Sequence, residues 1–204
     1  MLAVSGRAAL PWALLVAGCA LAGRSEAPIS PTRANDFRSA EVRQTVVLVR
    51  VVIGATAGLS ERERKEAPAR YENALLEGLD ARAILVRDVR SVEASAGVPD
   101  ARAAAARARD VGVDHALVVS VRVESSVVRV CEETRRPLQG RAAVWRQEGR
   151  VVRAADGGER ARVEIATPDV EADCEGARPS ARPRGVQATT SDAVERLLGK
   201  LFAR

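Results

Sequence analysis

Residues 46–53 read Val-Val-Leu-Val-Arg-Val-Val-Ile, a nearly continuous apolar run in which most side chains are β-branched. A strand with one solvated face alternates polar and apolar residues, whereas a strand covered on both faces reads as an unbroken apolar run. The run therefore predicts a strand in the middle of a sheet, with other elements packed on both sides of it.

The segment after this strand carries the signals of a helix. Ser60 and Glu63 have the spacing of a capping box, which predicts that a helix begins there. Apolar side chains then recur at every fourth position: Tyr71, Leu75 and Leu79. We expect Pro68 to restart the helix, because proline inside a helix removes a backbone hydrogen bond. Residues 83–86 are predicted to form a second short strand.

An alanine-rich helix is predicted to begin after Pro99-Asp100 and to end at Gly112, since glycine is a common helix stop. Small residues share one face of this helix: Ala101, Ala104, Ala105 and Ala108. Such a narrow face lets a helix lie close to a sheet. From Ala116 to Glu124 apolar and polar residues alternate, which predicts a half-buried strand.

The second half of the chain is predicted to be rich in hairpins. Strand candidates are residues 127–131, 141–147, 150–154 and 160–166. Glu148-Gly149 and Asp156-Gly157-Gly158 are interpreted as hairpin turns. Residues 167–187 are predicted to be a loop, and residues 191–203 a closing helix. The expected fold class is a single α/β (α+β) domain, with a mixed sheet packed by about three helices.

The first 18 residues have the composition of a signal peptide. Arg7 is basic, and residues 8–17 form an uncharged apolar run that is too short to span a bilayer. The run ends in Val16-Ala17-Gly18-Cys19, which resembles the lipobox of bacterial lipoproteins. In that family the cysteine sulfur receives a diacylglycerol and the new amino group is acylated, for instance with palmitate. The alternative is ordinary secretion, with Ala20-Leu21-Ala22 as the cleavage site.

The resemblance to lipoproteins implies a cellular location for the rest of the chain. Lipidation at Cys19 predicts anchoring to a membrane, and Ala20 in place of aspartate favours the outer membrane, facing the periplasm, over the inner one. Residues 19–43 lack periodicity and are predicted to be a flexible tether that holds the domain roughly 25–30 Å from the membrane. The periplasmic domain is expected to occupy residues 44–204.

A second resemblance lies in residues 108–121, which read Ala-Arg-Asp-Val-Gly-Val-Asp-His-Ala-Leu-Val-Val-Ser-Val. This segment is similar to a helix–turn–strand of bacterial envelope domains, among them the TolB amino-terminal domain, the LpoB activator and the CsgG type. The resemblance implies an α/β periplasmic domain used for protein contacts. It assigns Gly112 to the turn and Asp114 to a capping or hydrogen-bonding position there, and it implies no catalytic residue.

Cys131 and Cys174 are the only cysteines after Cys19. In an oxidising compartment an even pair predicts a disulfide. The alternative is two unpaired thiols, because the spacing of two cysteines does not show that they are close.

Few residues point to catalysis. The only histidine, His115, stands without a serine-centred elbow nearby and is interpreted as structural. Gly54 and Gly58 follow a strand but lack the lysine and hydroxyl residue of a phosphate-binding loop, so we interpret them as turn residues. No cofactor and no metal are expected. Aromatic residues are 2% of the chain, and no basic stripe accompanies them, so no nucleic-acid partner is expected.

Charge is segregated near the end of the chain. An acidic run is followed by a basic one: Glu164, Asp169, Glu171, Asp173 and Glu175, then Arg178, Arg182 and Arg184. We interpret this as a solvated loop whose halves attract weakly; the alternative is a contact surface for a partner or an anionic lipid or glycan. The favoured hypothesis is a non-catalytic accessory lipoprotein that binds other envelope proteins. The alternative is an enzyme that processes cell wall or a small ligand with loop carboxylates.

Overall fold

The structure, a computed structural model, describes residues 31–133, 137–175 and 178–203. Within these ranges a mixed sheet has the strand order β1-β6-β5-β4-β2-β3. The strands are β1 (Thr32–Arg33), β2 (Gln44–Ile53), β3 (Leu85–Ser91), β4 (His115–Val130), β5 (Leu138–Arg153) and β6 (Glu159–Pro168). The expected α/β class is confirmed.

Three helices cover this sheet, and a small hairpin lies at one end of it. The helices are α1 (Glu61–Asp80), α2 (Ala101–Val111) and α3 (Val186–Leu201). The hairpin pairs β7 (Glu171–Asp173) with β8 (Ser180–Arg182) as a separate two-stranded sheet. None of the three helices, which are those of the described ranges, has both the length and the hydrophobicity that crossing a membrane requires.

The apolar run at residues 46–53 forms the central parallel strand, as expected. β2 pairs in parallel with β3 on one side and with β4 on the other. Val47 and Val49 belong to the larger core under α1 and α3, whereas Val46 and Leu48 belong to a smaller core under α2. Helices on both faces therefore explain why the strand has no polar alternation over this stretch.

Helix α1 begins as predicted but does not break. The Ser60 hydroxyl accepts from the Glu63 amide, and the Glu63 carboxylate accepts from the Ser60 amide. Pro68 lies inside one continuous helix, so the predicted restart is wrong. Proline in a helix interior costs about 3 kcal/mol, and burial of one whole helix face offsets this cost. That face consists of Ala67, Tyr71, Leu75 and Leu79, all fully buried.

The strand predicted for residues 83–86 is displaced toward the carboxyl end. Ala83 has a φ of 55°, and the Ile84 amide donates to the Leu79 carbonyl, so these residues form the turn that follows α1. β3 begins at Leu85. The turn after the helix uses the residues that the apolar pattern assigned to the strand.

Helix α2 agrees with the prediction at both ends. The Asp100 side chain accepts from the Arg102 amide at its start, and Gly112 has a φ of 76° at its end. That left-handed conformation favours glycine over other residues. The small face packs on β2 and β4, with Ala104, Ala105 and Ala108 buried.

β4 and β5 are each one long strand, where the sequence suggested two shorter ones. They pair antiparallel without interruption from His115↔Arg153 to Val130↔Leu138. The turn predicted at Glu148-Gly149 is wrong, because Gly149 lies inside β5. A Cβ added to Gly149 would be 3.1 Å from Leu197 Cδ1 of α3, so glycine serves helix packing here. The turn at residues 156–158 is confirmed, with Gly157 at a φ of 72°.

The region predicted to be a loop, residues 167–187, contains structure. β6 extends to Pro168, the hairpin β7–β8 follows, and α3 begins at Val186 instead of residue 191. The hairpin strands are too short and too polar for a periodic signal. Helix α3 packs one face against the larger core, where Val194, Leu197, Leu198 and Leu201 are buried.

The predicted tether is folded where the structure describes it. β1 pairs with β6, and Phe37 and Val42 are buried in the larger core. The Arg33 guanidinium donates to the Lys200 and Ala203 carbonyls at the end of α3. The domain therefore begins earlier than residue 44, because these contacts reach residues that are distant in sequence. The predicted signal peptide, residues 1–18, and Cys19 lie outside the described residues.

Candidate binding groove

A groove of about 690 Å³ lies between two hairpins at one end of the sheet. One wall is the part of β4 and β5 that extends past the ends of β2 and β6. We call this part the arm; it comprises residues 125–130 and Leu138–Ala143. The other wall is β8 with the prolines that flank it. We call the space between them the hairpin groove.

The walls of the hairpin groove are strand edges. Every residue from Leu138 to Ala143 lines it, and so does every residue from Pro179 to Pro183. Side chains alternate between the two faces of a strand, so an uninterrupted series of lining residues means that the backbone edge faces the groove. β8 pairs with β7 on its other side, and the pairing of β5 with β6 ends at Val144.

The hydrogen-bonding direction of β5 can be read from one contact. The Ala143 carbonyl accepts from the Asp169 amide at 2.7 Å, on the side of β5 that faces β6. In an antiparallel strand the N–H and C=O of one residue point to the same side, and the side alternates along the chain. Gln139 and Arg141 therefore direct their backbone groups toward the groove, whereas Gly140 directs its own toward β4.

The two walls of the groove are linked to each other at both of its ends. At the sheet end, the Asp169–Ala143 hydrogen bond joins the chain leaving β6 to β5. At the far end, Cys131 and Cys174 form a disulfide with their Cα atoms 5.3 Å apart. Cys131 follows β4 and Cys174 follows β7, so the bridge joins the tips of the two hairpins. These links hold the two walls at a fixed separation.

Asp169 also connects the groove to α3. Its Oδ1 atom accepts from the Arg184 and Gly185 amides, each at 3.0 Å, and from the Thr189 hydroxyl at 2.6 Å. Gly185, the residue before α3, has no side chain that could cap the helix. The buried Asp169 carboxylate caps it instead. A carboxylate at a helix amino terminus is also favoured by the helix dipole.

The interior of the groove is mainly aliphatic and small. Its aliphatic lining consists of Leu59, Val128, Val130, Leu138 and Val170. Small residues complete it, among them Gly58, Ala142 and Ala181. Such a lining binds by excluding water from apolar groups, with a few polar groups to fix orientation.

Two arginines bring positive charge to the groove. Arg141 donates to the Ser125 hydroxyl and carbonyl, at 3.2 and 3.3 Å, and contacts no carboxylate among the described residues. Arg182 donates to Glu171 across the β7–β8 hairpin at 2.9 Å. Of the two arginines that line the groove in the described part of the chain, Arg141 is the one without a carboxylate partner there.

The cysteines, the histidine and the glycines singled out in the sequence lie in different parts of the structure. Cys131 and Cys174 are joined, as expected in an oxidising compartment. His115 is buried at the start of β4, far along the sheet from the groove, and its Nδ1 has no hydrogen-bond partner among the described residues. Burial lowers the pKa of its imidazole. Gly54 packs against the Val123 carbonyl and Gly58 has a φ of 79°, which fits turn residues.

The loop carboxylates do not converge in the described part of the chain. Glu171 pairs with Arg182, Asp169 caps α3, and Arg184 pairs with Asp192 at 2.8 Å. No cluster of three potential metal ligands occurs among the described residues. The charge segregation seen in the sequence therefore corresponds in part to pairing across a hairpin.

Sequence reasoning did not find the hairpin groove. Its walls combine residues predicted as two separate strands with residues predicted as loop. No periodic signal marks the arm in the sequence, because residues 125–128 read Ser-Ser-Val-Val.

Comparison with known proteins adds little. No protein-family model matches the chain, and no curated protein matches it. Among solved structures, it is similar to the PelC dodecamer of Paraburkholderia phytofirmans, with 12% identity, coverage of 84% of this chain and 98% of that one, and a TM-score of 0.46. A putative neuraminyllactose-binding hemagglutinin homolog from Helicobacter pylori has 11% identity, coverage of 76% and 82%, and a TM-score of 0.41. A Xanthomonas campestris protein of the DUF330 family has 12% identity, coverage of 86% and 90%, and a TM-score of 0.38. These likenesses are too distant to assign a family or a function.

Proposed function

We propose that this protein is an accessory lipoprotein of the bacterial envelope, anchored through Cys19 and facing the periplasm, that binds another protein through the hairpin groove. The observation that carries the proposal is the groove itself, where two strand edges have no pairing partner among the described residues and an aliphatic lining lies between them. Unpaired strand edges readily pair with another chain. A domain that keeps two of them facing each other is suited to binding polypeptide.

The proposed location in the bacterial envelope rests on three features of the chain. Residues 1–18 have the composition of a signal peptide, and residues 16–19 resemble a lipobox. The Cys131–Cys174 disulfide fits an oxidising compartment, because cytosolic thiols are kept reduced. The similarity of residues 108–121 to TolB, LpoB and CsgG-type domains belongs to the same proposal, and it too favours a role in protein contacts.

Binding is better supported than catalysis. Catalytic carboxylates need defined positions on either side of a reacting bond. In the hairpin groove the described carboxylate is Asp169, and its Oδ1 is already occupied by three donors. An acid that caps a helix in this way stabilises the fold and is a poor candidate for proton transfer.

Site-specific photo-crosslinking in the producing cells tests the proposal. A photoreactive residue at Gln139 or Ser180, one in each wall, should give a discrete protein adduct. The matched control is Ala103, which is exposed on α2 and distant from the groove. Adducts at both groove positions and not at Ala103 are the expected result. Equal adducts at all three positions, or none at the two groove positions, would contradict it.

A further inference from the structure

We propose that the hairpin groove accepts one extended polypeptide segment as an added strand between β5 and β8, and that this segment carries an acidic residue opposite Arg141. The inference rests on the proposed function and makes it specific, since it names the form and the chemistry of the partner. The bound segment would join the six-stranded sheet to the β7–β8 hairpin.

The backbone directions support strand addition. Gln139 and Arg141 point their N–H and C=O groups into the groove, and neither backbone has a hydrogen-bond partner on that side among the described residues. An antiparallel neighbour bonds to alternate residues of a strand, so these two residues form a matching pair of sites. Recognition through main-chain bonds at a sheet edge is a recurring way of binding extended peptides.

The opposite wall limits the length of the bound segment. Pro179 and Pro183 have no backbone N–H, so on this wall only those residues of β8 that point away from β7 can donate to the groove. The arm likewise ends at the tie between Ala143 and Asp169. At about 3.4 Å per residue, a segment running from Leu138 to Ala143 would contain about six residues.

The positive charge of Arg141 favours an acidic residue on the bound segment. Arg141 lines the groove, and among the described residues its guanidinium donates only to Ser125, whereas Arg182 is already paired with Glu171. A carboxylate on the bound strand would give Arg141 a charge-assisted partner, which is a stronger interaction than the present neutral ones. The aliphatic lining favours valine or similar residues at the neighbouring positions.

Binding of synthetic peptides tests this inference. The probe is a hexapeptide that alternates threonine and valine around one glutamate, added to the full chain carrying Cys19→Ser and produced with its disulfide. Saturable amide shifts in nuclear magnetic resonance spectra are expected at Gln139, Arg141 and Ser180–Arg182. The same peptide N-methylated at alternate residues should not bind, because it keeps its side chains and loses main-chain donors. No shift, or equal binding of the methylated peptide, overturns strand addition.

Two variants locate the contacts. Gln139→Pro removes an N–H that faces the groove and leaves the β4–β5 ladder intact, so binding should weaken about three- to tenfold; Gln139→Ala, which keeps the N–H, should bind as the parent does. Arg141→Gln should abolish the preference for the glutamate peptide over one with lysine at that position. If Gln139→Pro binds normally, the inference is wrong.

The protein-binding role and strand addition can be tested separately. Crosslinks from a photoreactive residue at Ser180 that survive Gln139→Pro would keep the protein-binding role and reject strand addition. A chain lacking residues 19–30 should bind the peptide with unchanged affinity. Tighter binding by that chain would show that its own amino-terminal segment occupies the groove, which contradicts an external partner as the occupant.

Discussion

The Tyr71 hydroxyl donates to the Gln147 side-chain oxygen at 2.5 Å in the middle of the larger core. Tyr71 is on α1 and Gln147 is on β5, and the Gln147 amide nitrogen donates onward to the Ala193 carbonyl of α3 at 3.1 Å. A single buried amide thus connects both helices of this face to the sheet. Burial raises the pKa of the Tyr71 hydroxyl well above its usual range, so it stays a donor at all physiological pH values.

Tyr71→Phe should lower the free energy of unfolding by about 1–3 kcal/mol, because it leaves the buried Gln147 oxygen without its donor. The aromatic packing should survive, since the ring lies parallel to that of Trp145 with 6.1 Å between the centroids. Urea unfolding followed by tryptophan fluorescence measures the change. A variant as stable as the parent would mean that water replaces the donor.

Gly149→Ala should destabilise the domain by about 1–3 kcal/mol, because the new methyl group would press on the buried Leu197 side chain. Gly140→Ala is the matched control on the same strand: nothing lies within 4 Å of its added Cβ, so it should leave the stability nearly unchanged. Thermal unfolding of the two variants gives the comparison. Equal stabilities would show that Leu197 moves aside without cost.

Replacement of both Cys131 and Cys174 by alanine should lower the free energy of unfolding by up to about 4 kcal/mol, on the chain-entropy estimate for a loop closed over 43 residues. Amide exchange should accelerate most in β7 and β8, which the bridge ties to the arm. A thiol count on denatured, unreduced protein should find no free thiol at these positions. Two free thiols would contradict the bridge.

Stability should fall as the pH drops below about 6.5. Burial lowers the pKa of His115 in the folded protein, so the unfolded chain takes up the proton first and is favoured as the pH falls from its own pKa of about 6.5 toward the folded value. Above that range the contribution is fully present. Urea unfolding between pH 7.5 and 5 measures the slope, and His115→Gln should flatten it. The same slope in both proteins would assign the effect to other groups.

Cys19→Ser should abolish labelling with radioactive palmitate and leave the domain in a soluble or an unprocessed form, because the thioether needs the sulfur. The double variant of Cys131 and Cys174 serves as the control, since it should lose the disulfide and keep its label. A Cys19→Ser protein that keeps the palmitate label, or that stays as firmly membrane-bound as the parent, would refute the lipid anchor.

Local patterns in the sequence determined the parts of the fold that depend on neighbours along the chain. The unbroken apolar run at residues 46–53 identified the central strand, because burial on both faces removes alternation. Ser60 with Glu63 identified the start of α1, and Gly112 the end of α2, since caps and left-handed turns have local chemical requirements. The α/β class followed from the order of these elements.

Tertiary structure decided the rest. Gly149 reads as a turn residue, and only the position of Leu197 explains why glycine lies inside a strand. Pro68 reads as a helix break, and only the buried face of α1 explains why the helix continues. The disulfide and the hairpin groove bring together segments whose separation in sequence carries no information on distance. Proximity in space depends on the packing of the whole chain, and no local pattern of residues encodes it.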